Sequence, residues 1–403
     1  MDSYRYVILG GGMVAGYAAK TFAERGLNKG ELAIISSDNA PPYERPPLSK
    51  GYLAGHDAES SVFINDAQFY EAHGIRTLLD SPVTGLNTHD RRLKLRSGEE
   101  VGFENLLIAT GSNVRTFNVE GFALNGIHYL RSLDDSRKIK HDAADRGVAV
   151  VIGGGFIGME VASVLARRGM SVTMVFPDDR VWHSLFTPRM SNFFQGYYLE
   201  RGVSFASNET VVRFEGTGRV TAVHTEAGSR LPAEMVVAGI GVTPATDMFE
   251  NSGLQIDNGI VVDEFLETNV PGIYAAGDVA NFPDLIFSRR RRLQHWDNAV
   301  EQGKHVARVF SGDRQPFSHV SYFFSDIFDL SYEYWGDATG ATHAFTHGNV
   351  DDASFSTWWL KDGIVVAAFV MDRPNEEREL ATSLIEDHAE LPKSLEVHPE
   401  PLS

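Results

Sequence analysis

The chain has 403 residues, enough for two or three cores, because single cores stop growing near roughly 250 to 300 residues. Its formal charge of −18 disfavours general affinity for nucleic acid or an acidic membrane surface, since phosphate attraction needs net or locally focused positive charge. Cysteine is absent, which excludes disulfides, thiolate nucleophiles and cysteine-held zinc or iron–sulfur clusters in this chain, and no metal site is expected.

No apolar run approaches the roughly 20 residues that span a bilayer. Met1-Asp2-Ser3-Tyr4-Arg5 runs straight into a strand without a charged and apolar leader, so the expectation is a cytoplasmic protein. Tyr6-Val7-Ile8-Leu9 reads as a short buried strand, and Met13 to Arg25 as a helix stopped by Gly26. Between them Gly10-Gly11-Gly12 has the form of a phosphate loop. Gly10 permits the tight bend, Gly12 lets the backbone approach a pyrophosphate, and Ala15 in the third position keeps helix and strand close. The helix N-terminus then faces the negative charge. A glycine turn of this kind also occurs for packing alone.

The next strand, Glu31 to Ile35, ends in Ser36-Ser37-Asp38. Asp38 either accepts from an adenosine ribose or is a solvated turn aspartate, and it lies somewhat beyond the ~20 residues of the usual fingerprint. Pro42-Tyr43-Glu44-Arg45-Pro46-Pro47-Leu48-Ser49-Lys50-Gly51-Tyr52-Leu53 follows, where prolines hold the chain in extended and turn conformations. Such a stretch suits a rigid wall beside a ligand, with Arg45 and Lys50 facing it.

A second copy of the first pattern comes later. Val148 to Ile152 is a β-branched strand, Phe156 to Arg168 a helix closed by Gly169, and Gly153, Gly155 and Gly158 complete G-x-G-x-x-G. Glu160 sits one turn into that helix, either as a functional acid or as a first-turn partner of the helix dipole. The strand Ser171 to Val175 leads into Phe176-Pro177-Asp178-Asp179-Arg180. A ribose hydroxyl wants a carboxylate and a 2′-phosphate wants arginine, so NADH held by Asp178 is favoured while NADPH stays open. One chain with two dinucleotide sites can pass a hydride between them, which points to a flavoprotein that oxidises a nicotinamide.

Ser288-Arg289-Arg290-Arg291-Arg292-Leu293-Gln294-His295-Trp296 contains the only dense basic run. Either it steers an acidic partner, against whole-molecule repulsion, or its arginines are tied to neighbouring carboxylates and carbonyls. From about Ser321 the pattern changes to strands at Tyr322–Asp326, Tyr332–Gly336, Phe355–Leu360 and Ile364–Val370. The last two are joined by the hairpin signal Lys361-Asp362-Gly363. A helix is expected over Asn375–Asp387, and the last dozen residues read as a loose tail.

The Pro42–Leu53 segment resembles the flavin-binding stretch of class I ferredoxin reductases and plant-type monodehydroascorbate reductases, of the glutathione reductase structural superfamily. Leu106-Leu107-Ile108-Ala109-Thr110-Gly111 resembles the second flavin signature, and Gly272 to Val279 resembles the third, which places Thr110, Gly111, Gly277 and Asp278 at FAD, with Asp278 on its ribityl chain. Gly239 to Pro244, with Gly241, resembles the segment beside the nicotinamide. The resemblance implies that Glu160 pairs with Lys50 near the nicotinamide and flavin rings, and that His295 and Trp296 either flank a ring or pack a helix start.

Thiol-using relatives such as NADH peroxidase carry their redox cysteine about where Lys50 stands, so peroxide or disulfide reduction by that route is excluded. The implied fold is α/β: two Rossmann-like, three-layer ββα nucleotide-binding domains, the second inserted in the first, plus a C-terminal α+β cap domain. The expected bounds are 1–112 and 245–320 for FAD, 113–244 for NAD(P)H and 321–403 for the cap.

The implied activity is transfer of electrons from NADH through FAD to a one-electron acceptor, a small acidic ferredoxin first. Monodehydroascorbate or quinone reduction comes second, and a redox-gated interaction protein like apoptosis-inducing factor third. Plant monodehydroascorbate reductases carry an arginine in the segment matching Phe324-Ser325-Asp326-Ile327, where Asp326 would repel an ascorbyl anion. The Ser-Asp pair is more like ferredoxin reductases, in many of which tryptophan replaces Phe324.

Overall fold

The computed structural model describes residues 2–143 and 147–402. They form two compact units, the first from residues 2–45, 59–113 and 242–319, the second from 46–58, 114–143, 147–241 and 320–402.

In the first unit the parallel strands run in the order Arg76–Leu78, Leu32–Ile35, Asp2–Leu9 and Glu100–Ile108. The long last strand has a divided role: its start pairs antiparallel with Arg92–Leu95, and its end pairs parallel with Ile273–Ala275. Val7, Ile8, Ile34, Leu106, Leu107 and Ile108 are fully buried, as continuous apolar strands covered on both faces require. The helices Met13–Glu24 and Trp296–Phe310 pack on this sheet and on each other. Their close approach needs Gly303, where a Cβ would stand 2.7 Å from the Val14 carbonyl oxygen.

The second unit holds a five-stranded parallel sheet in the order Val203–Ser207, Ser171–Phe176, Val148–Ile152, Met235–Ala238 and Ile127–Tyr129. A three-stranded antiparallel meander over 211–232 joins it. The C-terminal part is a six-stranded antiparallel sheet with the helix Asn375–Glu386 against it. Its hairpin at Asp362-Gly363 has φ of 52° and 84°, the two left-handed positions that a type I′ turn demands.

The end of the chain differs from the loose tail expected. His398–Glu400 adds an edge strand against Ala344–Thr346. Glu400, almost fully buried, accepts from Arg189 at 3.1 Å. A three-residue strand has too little periodicity to be seen in sequence, and its partner is remote. Among the described residues, no helix is long and apolar enough to cross a membrane.

Candidate functional site

Both glycine turns are built as the sequence requires. Gly10 has φ +130°, and a Cβ there would lie 2.1 Å from the Ala109 carbonyl oxygen. Gly153 has φ +115°, with the Gly239 oxygen at 2.4 Å from a would-be Cβ, and at Gly158 the Gly153 oxygen would be 2.0 Å away. Ala15 is fully buried between helix and sheet.

The helices that follow begin at Gly12 and Gly155, and neither has a side chain capping its first N–H groups. Elsewhere the fold does cap: Ser132 and Asp135 form a capping box, and Thr187 accepts from Met190 N–H. Uncapped donors at a dipole's positive end, beneath a glycine with open space above Gly155, suit a pyrophosphate. Both turns therefore fit a dinucleotide.

Around the first turn, Arg45 lies with a guanidinium nitrogen 3.7 Å from where a Gly12 Cβ would be, and its Cζ stands 4.9 Å from the Tyr43 ring centre. Tyr43 donates to Asp38 Oδ2 at 2.6 Å, so one oxygen of Asp38 is engaged within the protein. Glu44 collects two donors, the Tyr17 hydroxyl at 2.7 Å and Trp296 Nε1 at 2.6 Å. Sequence reasoning gave Glu44 no role; it anchors Trp296, whose ring edge is thereby fixed.

Thr110 Oγ1 donates to the Ala245 carbonyl at 3.0 Å, and Gly111 and Gly277 take φ of 69° and 76°. Gly277 N–H donates to Gln302 Oε1 at 2.7 Å. Asp278 is partly exposed, and its charge opposes the burial that pushes the His295 imidazole down to about 4. His295 is therefore neutral near pH 7.

The arginine run is largely absorbed by its own surroundings. Arg291 forms a buried ion pair with Asp284, Arg290 donates to the carbonyls of Val262 and Asn281, and Arg292 to that of Asp278. Of the two readings the run allowed, the tied one describes Arg290, Arg291 and Arg292.

In the second unit Asp178 is exposed where its strand ends, while Arg180 donates to both oxygens of Asp179 and to the His183 carbonyl. Gly241, at φ 95°, accepts from Arg115 N–H. A buried polar cluster is centred on Glu160, which is 4% exposed. Its Oε1 accepts from Lys50 Nζ at 2.5 Å and Ser325 Oγ at 2.6 Å, and its Oε2 from Ser49 Oγ at 2.5 Å.

Lys50 and Glu160, far apart in sequence, are thus an ion pair, and Ser49 and Ser325 are functional candidates that sequence reasoning quoted only as neighbours. Lys50 also lines a cleft of about 350 Å³ with Pro46, Pro47, Arg167, Phe324 and Asp326, and Asp326 is exposed.

Two dinucleotide turns in a cysteine-free chain, with a buried lysine–glutamate pair, define an FAD-dependent NAD(P)H oxidoreductase. The chain belongs to the pyridine nucleotide-disulphide oxidoreductase family, whose model matches residues 4–303. Residues 320–402 match the model of the monodehydroascorbate reductase 3-like C-terminal domain.

Among similar proteins, peroxisomal monodehydroascorbate reductase 4 of Arabidopsis thaliana is 37% identical over 94% of this chain and 81% of its own length. The fold matches the reductase in a covalent putidaredoxin reductase–putidaredoxin complex with TM-score 0.91 and 31% identity, covering 96% of this chain and 93% of that one. A ferredoxin reductase of Rhodopseudomonas palustris matches with TM-score 0.89 and 29% identity, covering 97% and 98%.

Proposed function

We propose that the chain carries electrons from NADH through FAD to a one-electron acceptor, and that the acceptor is a small ferredoxin. The first glycine turn, with Asp38, Arg45, Thr110, Gly111, Gly277, Asp278, His295 and Trp296, would hold FAD. The second turn, with Asp178 and Gly241, would hold NADH. In this reading 1–112 with 245–320 would serve the flavin, 113–244 the nicotinamide and 321–403 the cap, with the segment 46–58 belonging to the second compact unit. FAD, when bound, accepts a hydride and releases its electrons one at a time.

The chain's own residues bind, orient and tune. Uncapped helix ends take the pyrophosphates, Asp178 meets a ribose while Arg180 is engaged elsewhere, and Lys50, held by Glu160, supplies the cation that tunes the flavin. No residue is needed as nucleophile. A cytoplasmic setting is part of the same reading.

The observation that carries the choice of acceptor is Asp326. A small anion entering the Lys50 cleft meets this exposed carboxylate at close range, whereas a protein acceptor spreads its contacts and can answer one charge with its own basic side chain. Purified protein should be yellow, bleach with NADH and reduce a ferredoxin faster than enzymatically generated monodehydroascorbate. The reverse ranking would favour a second reading, monodehydroascorbate reduction. That reading is supported by the C-terminal match over residues 320–402 and by the buried Arg291–Asp284 ion pair, which takes one charge out of the arginine run.

A further inference from the structure

Glu160 lies in the helix Phe156–Arg167, away from water, and carries three donors from two other parts of the chain. Ser49 and Lys50 come from the proline-rich turn, and Ser325 from the first strand of the C-terminal sheet. Ser49 is 2% exposed and Ser325 fully buried. A buried carboxylate with one ammonium partner still has lone pairs that need hydrogens, and each one left bare costs free energy.

Both hydroxyls supply that need. The Ser49 hydrogen has one other acceptor in reach, the Pro46 carbonyl at 3.4 Å, far longer than its 2.5 Å contact with Glu160. The other titratable groups facing Glu160 are the buried phenols of Tyr198 and Tyr332. Burial first, and then neighbouring negative charge including that of Glu160, holds both well above the usual tyrosine range. They stay neutral and add no second negative charge, and among the described residues Lys50 is the cation paired with Glu160. Its ammonium stands 5.3 Å from the Phe324 ring centre.

We propose that Ser325 and Ser49 are positioning residues. By donating to both oxygens of Glu160 they hold the carboxylate in one rotamer and Lys50 in one place, so the C-terminal sheet helps set the charge that governs oxidation of the nicotinamide. This rests on the NADH–FAD reading above. Without the hydroxyls Glu160 can turn toward other donors, and the ammonium turns with it.

The test is the limiting rate at which saturating NADH bleaches the flavin, measured by rapid mixing on the holoenzyme for the parent, Ser325→Ala, Ser49→Ala, Glu160→Ala and the Ser325→Ala/Glu160→Ala double variant. Ser325→Ala and Ser49→Ala should each slow the parent about tenfold, the size of one hydrogen bond to a charged group, with half-saturating NADH within about twofold. In the Glu160→Ala background the serine change should matter less than about twofold, because the group it acts through is gone.

Single variants within about twofold of the parent would overturn the proposal. An equal slowing in both backgrounds would do the same, since it is the mark of ordinary packing. Ser49→Ala reads the other carboxylate oxygen, so a Ser325→Ala protein that fails to fold leaves the proposal open to refutation. A parent that NADH does not bleach overturns the functional reading itself, a different failure from a bleaching parent with indifferent serines.

Discussion

Four helix starts in this protein divide into two kinds. At Ser132 and Thr187 a side chain satisfies the first N–H groups, whereas at Gly12 and Gly155 none does. The capped starts spend their donors inside the fold. The uncapped ones keep theirs for something that arrives, and a glycine at the cap position removes the Cβ that would stand in its way. The helices Trp296–Phe310 and Asn375–Glu386 also start without a side-chain cap, so the contrast teaches that bare donors fit a ligand where a glycine turn opens the space in front of them.

The widest separation should come from the second turn. Gly153→Ala and Gly10→Ala place a Cβ against a carbonyl oxygen in a left-handed backbone, and each should cost about 3 kcal/mol or more, seen as a large drop in Tm. Gly155→Ala meets nothing within 4 Å and should leave Tm nearly unchanged while weakening NADH binding. If Gly155→Ala unfolds as easily as Gly153→Ala, the turn serves packing alone and the contrast fails.

Glu160→Ala should slow bleaching by NADH about 100-fold, ~2.7 kcal/mol of barrier, because it releases Lys50. Asp178→Ser should raise the KM for NADH about fivefold with little change in kcat, since an exposed carboxylate that binds a ribose contributes to affinity alone. A parent that prefers NADPH would show that Arg180, for all its contacts with Asp179, is the residue read by the nucleotide.

Acid sharpens the comparison from the first unit. His305, 6% exposed, is pushed from 6.5 down to about 4 by burial, with Arg308 adding to the effect. Between those pH values the unfolded chain holds a proton that the folded chain lacks, so stability falls as pH drops from about 6.5 and the loss is complete below about 4. His295 titrates over the same window. Thermal unfolding followed from pH 7 to 4 should show this slope, and His305→Phe should reduce it while leaving the share that His295 contributes. The smallest effect belongs to a capped helix: Ser132→Ala should cost about 1 kcal/mol in stability and leave both KM and kcat untouched.

Much of the fold was legible because its signals are local. The strand Val148–Ile152 has the bounds its β-branched run predicts, and the helices after both turns end within a residue of their expected stops. The Asp362-Gly363 hairpin likewise follows from two residues that tolerate positive φ. The edge strand His398–Glu400 was not legible, because its only reason to be extended is a partner some 50 residues earlier. Of the site, Lys50 and Glu160 stood out through resemblance, while Glu44, Ser49 and Ser325 did not, since a serine or glutamate announces nothing until its acceptor or donor is known.

Sequence alone determined the two glycine turns, the absence of any thiol and therefore the chemistry left to the chain, because glycine torsions and residue identity act over a few positions. Only the tertiary structure decided what Glu160 holds and where the arginines spend their charge. Lys50, Glu160 and Ser325 come from three separate segments, and Arg290 to Arg292 reach carbonyls and a carboxylate elsewhere in the chain. Hydrogen bonds between residues remote in the chain exist only once burial has brought their elements together, and no local pattern encodes that meeting.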